Sequence, residues 1–445
     1  MPDSMVERPW SSDADVVTHD AQLILAVGGV LAVAVVAARV AARLRLPALI
    51  LFAGLGMLVG SDGLGFIAFD DYRLARLIGT IALVLILFEG GLSAGWSELR
   101  PVLRPALLLA IVGTMLTAAI VGIAASALFG FSMRGGLLLG AILAATDGAA
   151  VFALLRGVRL PSRLRRALEG ESGLNDPVAV LLVLVAIDLV SRPHYSAWSL
   201  VWFLAHELAV GVAVGLAGGL LARYARHAHR LPNELLPVGS LAAAALAYGV
   251  AGTLGGSGFL AVYLVGLALG NVSVADREPV VAFHRGLAMV AEIGMFFALG
   301  LLVFPSQFGP IAVKAVLLAL ITALIARPLA TAVATVGQRF TWPERTVLAW
   351  AGLRGAVPVI LATFAVIDGV PRSVELLNIV FFAVLVSAAL QGTTVQWLAS
   401  RVLPVARPKM RPGTHFAEGA PRPSWSYSKL SAAPDGGALA KEEHS

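Results

Sequence analysis

Glu171, Asn175 and Asp176 stand in the run LEGESGLNDPVAVLLVLV, whose apolar part is long enough to cross a bilayer. An ionised carboxylate at the centre of a membrane helix costs roughly 2.5–3.5 kcal/mol even on insertion scales. A chain keeps such a group where it lines a watery path or meets an ion. Asp147 lies one segment earlier, in GAILAATDGAAVFALL. Ser172 and Asp176 are four residues apart and so share a helix face, where a hydroxyl and a carboxylate can hold one ion through oxygen. Acids at membrane depth on neighbouring segments point to a site for a small cation.

Composition sets the class of molecule that must position them. The chain has 445 residues, 58% hydrophobic and 13% charged, with a mean hydropathy of +0.85. Soluble domains carry about a quarter charged residues, so the sequence predicts an all-α polytopic membrane protein. The 46 glycines suit helices that approach closely in lipid. Cysteine is absent, which excludes disulfides and thiol chemistry. The net charge of +6 does not indicate nucleic acid, because the basic residues collect in one set of loops. His206, His227, His229 and His284 have no metal-ligand spacing, and the GGSG turn at Gly255–Gly258 lacks the context of a phosphate loop. No ATP-driven pump, enzyme activity or cofactor is expected.

Thirteen apolar segments are predicted, near 21–38, 46–60, 74–92, 105–129, 135–155, 161–190, 197–222, 234–255, 257–271, 281–304, 309–336, 344–367 and 374–402. Alternate loops carry the arginines, among them Arg39, Arg43 and Arg45, the cluster from Arg156 to Arg166, and Arg223, Arg226 and Arg230. The positive-inside rule then places the N-terminus outside and the C-terminus in the cytoplasm. Residues 1–20 read as an extracytoplasmic segment. Residues 404–445, rich in Pro, Gly, Ser and Ala, read as a disordered cytoplasmic tail.

At 1.5 Å per residue, Asp147, Glu171, Asp176, Arg327 and Arg354 each lie roughly 14–22 Å along their segments. All five therefore meet near the bilayer middle. The fifth segment carries a T-D-G interruption at Thr146–Gly148, and the twelfth carries GLRGAVP from Gly352 to Pro358. Helix breaks at that depth are tolerated only beside a cavity or other protein. If segments 1–6 and 8–13 are two halves, the breaks fall at matching positions, the pattern of an inverted-repeat secondary transporter. On these grounds Arg354 is a counter-charge for carbonyls freed at a broken helix, and Asp147 is either a cap for a half-helix or an ion ligand.

The stretches ATDGAAVFALL, EGESGLNDP, SGFLAVYLVGLALG, EIGMFFALGLLVFP and WAGLRGAVPVILATF resemble the NhaP/NHE-type cation/proton antiporters, in particular the bacterial potassium/proton (CvrA-like) branch, over about residues 20–403. The resemblance implies a homodimer of thirteen-helix subunits in the cell (inner) membrane. Within the domain 21–403, scaffold helices would span about 21–92 and 234–304, core helices about 105–190 and 309–402, and a linker helix about 197–222. The core would carry the site across the membrane in an elevator-like movement.

Matching motif by motif, Asp176 resembles the family's cation- and proton-binding aspartate. Asn175 matches the asparagine that accompanies electroneutral exchange. Thr146, Asp147 and Ser172 match auxiliary ligands, and Glu171 with Arg327 matches an intramembrane ion pair. Glu89, where close relatives often have Asp, is a candidate acid near the cytoplasmic entrance. No counterpart of the long cytoplasmic regulatory module of many CvrA-like proteins is read in the chain. The expected activity is potassium/proton or sodium/proton antiport. The alternatives are a sodium-coupled organic-anion symporter or a cation channel of related architecture. Potassium and sodium both suit oxygen ligands, so the residues leave that choice open.

Overall fold

The computed structural model describes residues 10–403 apart from 45–47, 148–149, 152–153, 156–157, 159, 192–196, 229–231 and 272–273. The expected tail 404–445 therefore lies outside the described residues, as do the first nine positions, Gly148, and Arg45, Arg156 and Arg230. Among the described residues there is no strand. In chain order the helices are α1 (Trp10–Leu44), α2 (Ala48–Val59), α3 (Tyr72–Ala94), α4 (Trp96–Phe129), α5 (Met133–Ala144), α6 (Ser162–Ser191) and α7 (Ala197–Ala228). They continue with α8 (Leu236–Thr253), α9 (Gly258–Leu269), α10 (Val274–Leu301), α11 (Ala312–Ala334), α12 (Trp342–Trp350), α13 (Ala356–Ile367) and α14 (Ser373–Val402). Among the described residues, eight helices are long and apolar enough to cross a membrane, and shorter apolar helices accompany them. The chain is an all-α, multi-pass membrane protein.

Local chemistry starts and stops these helices. Asp71 accepts from the backbone N–H groups of Arg73 and Leu74, both at 2.9 Å, and opens α3. Thr341 and Glu344 form a reciprocal capping box at the start of α12. Gly130, at φ 67°, closes α4 in the left-handed conformation that glycine adopts without a Cβ penalty. α4 begins at Trp96, ahead of its apolar segment, because its first turns carry the charged Glu98, Arg100 and Arg104. Glu98 reaches Arg166 of α6 at 2.9 Å. Hydropathy marks the membrane crossing and not the whole helix.

Small residues let backbones touch. A Cβ on Gly140 of α5 would lie 2.1 Å from the Ala118 carbonyl of α4, and one on Gly266 of α9 would lie 2.5 Å from the Phe88 carbonyl of α3. In lipid, where burial of apolar surface drives little association between helices, such contact supplies the packing. α4 packs on α5 and α6, and α11 packs on α12, α14 and α4. Separately, α3 packs on α9 and α10, α10 on α2, and α7 on α8 and α9.

Both α4 and α11 contain a π-turn, at Leu109–Gly113 and at Thr322–Ala326. These are the fourth and eleventh apolar segments, which correspond in the two halves. Each π-turn inserts an extra residue and rotates the succeeding turn of its helix, a feature that frequently marks functional sites. Thr114 comes directly after the first and Arg327 after the second, and both side chains are buried.

Candidate functional site

Two helix interruptions cross each other. α5 ends at Ala144 and the chain runs extended through Ala145, while α12 ends at Trp350 and α13 begins at Ala356. The backbone N–H of Asp147 donates to the Leu353 carbonyl at 2.7 Å, so one interruption bonds directly to the other. Arg354 Nη1 donates to the carbonyls of Ala144 and Ala145 at 3.4 and 3.2 Å. The guanidinium thus meets the negative end of a half-helix, where a cation is favoured. The Arg354 N–H donates to Ser387 Oγ of α14 at 3.1 Å, Ser387 donates to Gln391, and Gln391 Nε2 donates to the Trp350 carbonyl. Backbone groups released by the breaks therefore find protein partners, as the bilayer interior requires.

Asp147 sits at the crossing. Its Oδ1 accepts the Ala150 N–H at 3.0 Å, the geometry of a helix cap. A Cβ on Gly355 would fall 1.9 Å from Asp147 Oδ2, so the carboxylate occupies the room this glycine leaves. Gly355→Ala is expected to push Asp147 out of place and stop ion exchange. Proton flux in vesicles would check this, and wild-type flux in the variant would exclude a role for the crossing geometry.

α6 supplies the remaining groups. Asp176 is 7% exposed, and its Oδ1 has no hydrogen-bond partner among the described residues. Asp147 lies within electrostatic reach of it. Ser172 is partly buried one turn earlier on the same face. Pro177, inside the helix, has no N–H to give the Gly173 carbonyl, so that oxygen lacks its usual intrahelical donor one turn on. Asn175 is fully buried, accepts from Thr114 Oγ1 at 2.6 Å and donates to Thr146 Oγ1 at 2.7 Å. Glu171, one turn before Asn175, pairs with Arg327 of α11, each side chain almost wholly buried. Gly352 in the α12–α13 interruption makes room for that arginine, because a Cβ there would lie 2.1 Å from Arg327 Nε.

The structure thus gathers Thr146, Asp147, Ser172, Asn175 and Asp176 around the crossing, with Glu171, Arg327 and Arg354 bracing its back. Glu89 stands apart: on α3 it accepts from Ser93 Oγ at 2.7 Å and lies 3.9 Å from Arg285 of α10. Sequence reasoning passed over Thr114, Ser387, Gln391 and Glu292. Hydroxyls and amides in apolar helices carry no periodic signal. Glu292, on α10, lies within electrostatic reach of Asp147, and its own signal was an acid inside an apolar segment, the same kind that marks Asp176.

Interrupted helices that cross at membrane depth around buried acids define a secondary transporter. Residues 30–401 match the family model described as sodium/hydrogen exchanger, transmembrane, and the chain belongs to that family. It is 38% identical over 388 residues to the K(+)/H(+) antiporter NhaP of Alkalimonas amylolytica, covering 85% of this chain and 67% of that protein. Against the K(+)/H(+) antiporter NhaP2 of Shewanella sp. (strain MR-4) the identity is 39% over 380 residues, 84% of this chain and 66% of the relative. The chain therefore spans about two-thirds of the length of these relatives. Its fold is similar to that of the sodium proton antiporter MjNhaP1 from Methanocaldococcus jannaschii, with a TM-score of 0.75 and 25% identity over 86% of this chain and 99% of that one.

Proposed function

We propose that the protein is a secondary-active antiporter that exchanges protons for potassium or sodium, one for one, with Asp176 as the shared site. The observation that carries this reading is a buried carboxylate beside crossed helix breaks, with an oxygen left unpartnered among the described residues. A single carboxylate of this kind takes either a proton or a monovalent cation, so one charge enters as one leaves. Asn175 cannot titrate and is held between two threonines, which fits an electroneutral cycle. The Asp147 carboxylate, the Ser172 and Thr146 hydroxyls and the Gly173 carbonyl offer hard oxygen ligands, the kind suited to alkali cations. The names of the relatives favour this reading over a symporter or a channel.

The loop arginines favour an N-terminus outside and a C-terminus in the cytoplasm of the inner membrane. Helices α4–α6 and α11–α14 would form the moving core and α1–α3 with α8–α10 the scaffold of each subunit of a homodimer, joined by α7. Glu89 would serve as an acid on the entrance route.

Everted vesicles containing the protein, loaded with a pH-sensitive dye, test this reading. Adding K⁺ or Na⁺ should release the proton gradient, and an imposed voltage should not change the rate. Lowering the pH should raise the cation concentration needed for half-maximal exchange, because proton and cation compete for one carboxylate. An exchange rate indifferent to both cations would overturn the assignment.

A further inference from the structure

We infer that Thr114, on α4, is a positioning residue for the cation site: its hydroxyl holds the Asn175 amide in place against Thr146. This rests on the antiporter reading above. Thr114 is 1% exposed, Asn175 0% and Thr146 4%, so water does not compete for these groups. A threonine hydroxyl can give one hydrogen and can also accept, and in this arrangement Thr114 gives. The hydrogen goes to Asn175 Oδ1 at 2.6 Å, which directs the amide Nδ2 to Thr146 Oγ1 at 2.7 Å. The chain of donors runs one way, from Thr114 through Asn175 to Thr146.

That direction matters at the ion. Thr146 Oγ1 receives an N–H from Asn175, so its own hydrogen points elsewhere and its remaining lone pair has a set direction. Reversing the amide would turn Thr146 into the donor and redirect the oxygen at the entrance to the α5 break. An apolar side chain at 114 would leave the buried Asn175 Oδ1 without this donor and the amide without its anchor on α4. The π-turn at Leu109–Gly113 is what aims Thr114 at α6, since a regular helix would present residue 114 rotated by about 100°. Thr114 reaches the ion only through Asn175 and Thr146.

The test is the cation dependence of exchange in Thr114→Val, Thr114→Ala and Thr114→Ser, each run beside the wild type. Thr114→Val, nearly isosteric, should raise the half-maximal cation concentration roughly fivefold or more, the scale of one buried hydrogen bond. It should shift the pH profile of exchange and leave the maximal rate within about twofold, the uniform-binding pattern. Thr114→Ala should act in the same direction if the valine variant fails to fold, and Thr114→Ser should restore wild-type values. In a Thr146→Val background, adding Thr114→Val should change the half-maximal concentration by less than about twofold, because the two act through one amide. An active wild type whose Val and Ala variants keep its half-maximal concentration and pH profile overturns this inference. So does a serine variant that behaves like valine. An inactive wild type instead overturns the antiporter reading itself.

Discussion

Asp176→Asn is expected to reduce cation-dependent proton flux to the background of empty vesicles while the protein stays folded. The substitution is isosteric and removes only the titratable charge. In the structure Asp176 Oδ1 has no hydrogen-bond partner among the described residues, so little native bonding is given up. An amide carries no charge to desolvate at this buried position, so the melting temperature of the variant should equal or exceed that of the wild type. Flux and thermal unfolding measured on the same preparation separate the two effects. Retained exchange would remove Asp176 from the centre of the mechanism, whereas a collapsed melting temperature would recast it as a structural acid.

The second large effect concerns stability. Glu171 pairs with Arg327, and Arg354 lies within electrostatic reach of both. One carboxylate therefore serves two buried guanidiniums. Glu171→Gln leaves both cations without their counter-charge, and breaking one side of a buried pair costs about 3–5 kcal/mol. Arg327→Gln should cost less, because Glu171 then keeps Arg354 as a partner. A double substitution of Glu171 and Arg327 by apolar residues of similar size should recover part of the loss, since the desolvation cost disappears with the charges. Melting temperatures of the three variants in one detergent decide the matter. If Arg327→Gln proves the more damaging single change, the shared-carboxylate account fails.

These expectations depend on features of unequal visibility. The apolar segments, the acids at 147, 171 and 176, and the Gly- and Pro-marked interruptions at Thr146–Gly148 and Gly352–Pro358 are properties of short stretches. Hydropathy and the cost of a charge in lipid act on such stretches directly, and they define the class of protein and the depth of its site. The family motifs added a role for each site residue.

Other features were out of reach of any local rule. α4 continues back to Trp96 because its charged first turns are stabilised by partners such as Arg166, which hydropathy does not see. The π-turns before Thr114 and Arg327 leave no mark in composition, because each is held by packing between α4 and α11. The bond from Asp147 to Leu353 joins residues far apart in the chain, and only the assembled helices bring them within reach. Sequence determined that this chain lies in a membrane, carries acids at its middle and breaks two of its helices there, since burial energy and backbone conformation are set residue by residue. Tertiary structure decided which carbonyls Arg354 neutralises, which arginine answers Glu171 and which way the Asn175 amide turns. Hydrogen bonds and ion pairs are short-ranged and directional, and their partners are chosen only when distant segments are packed against one another.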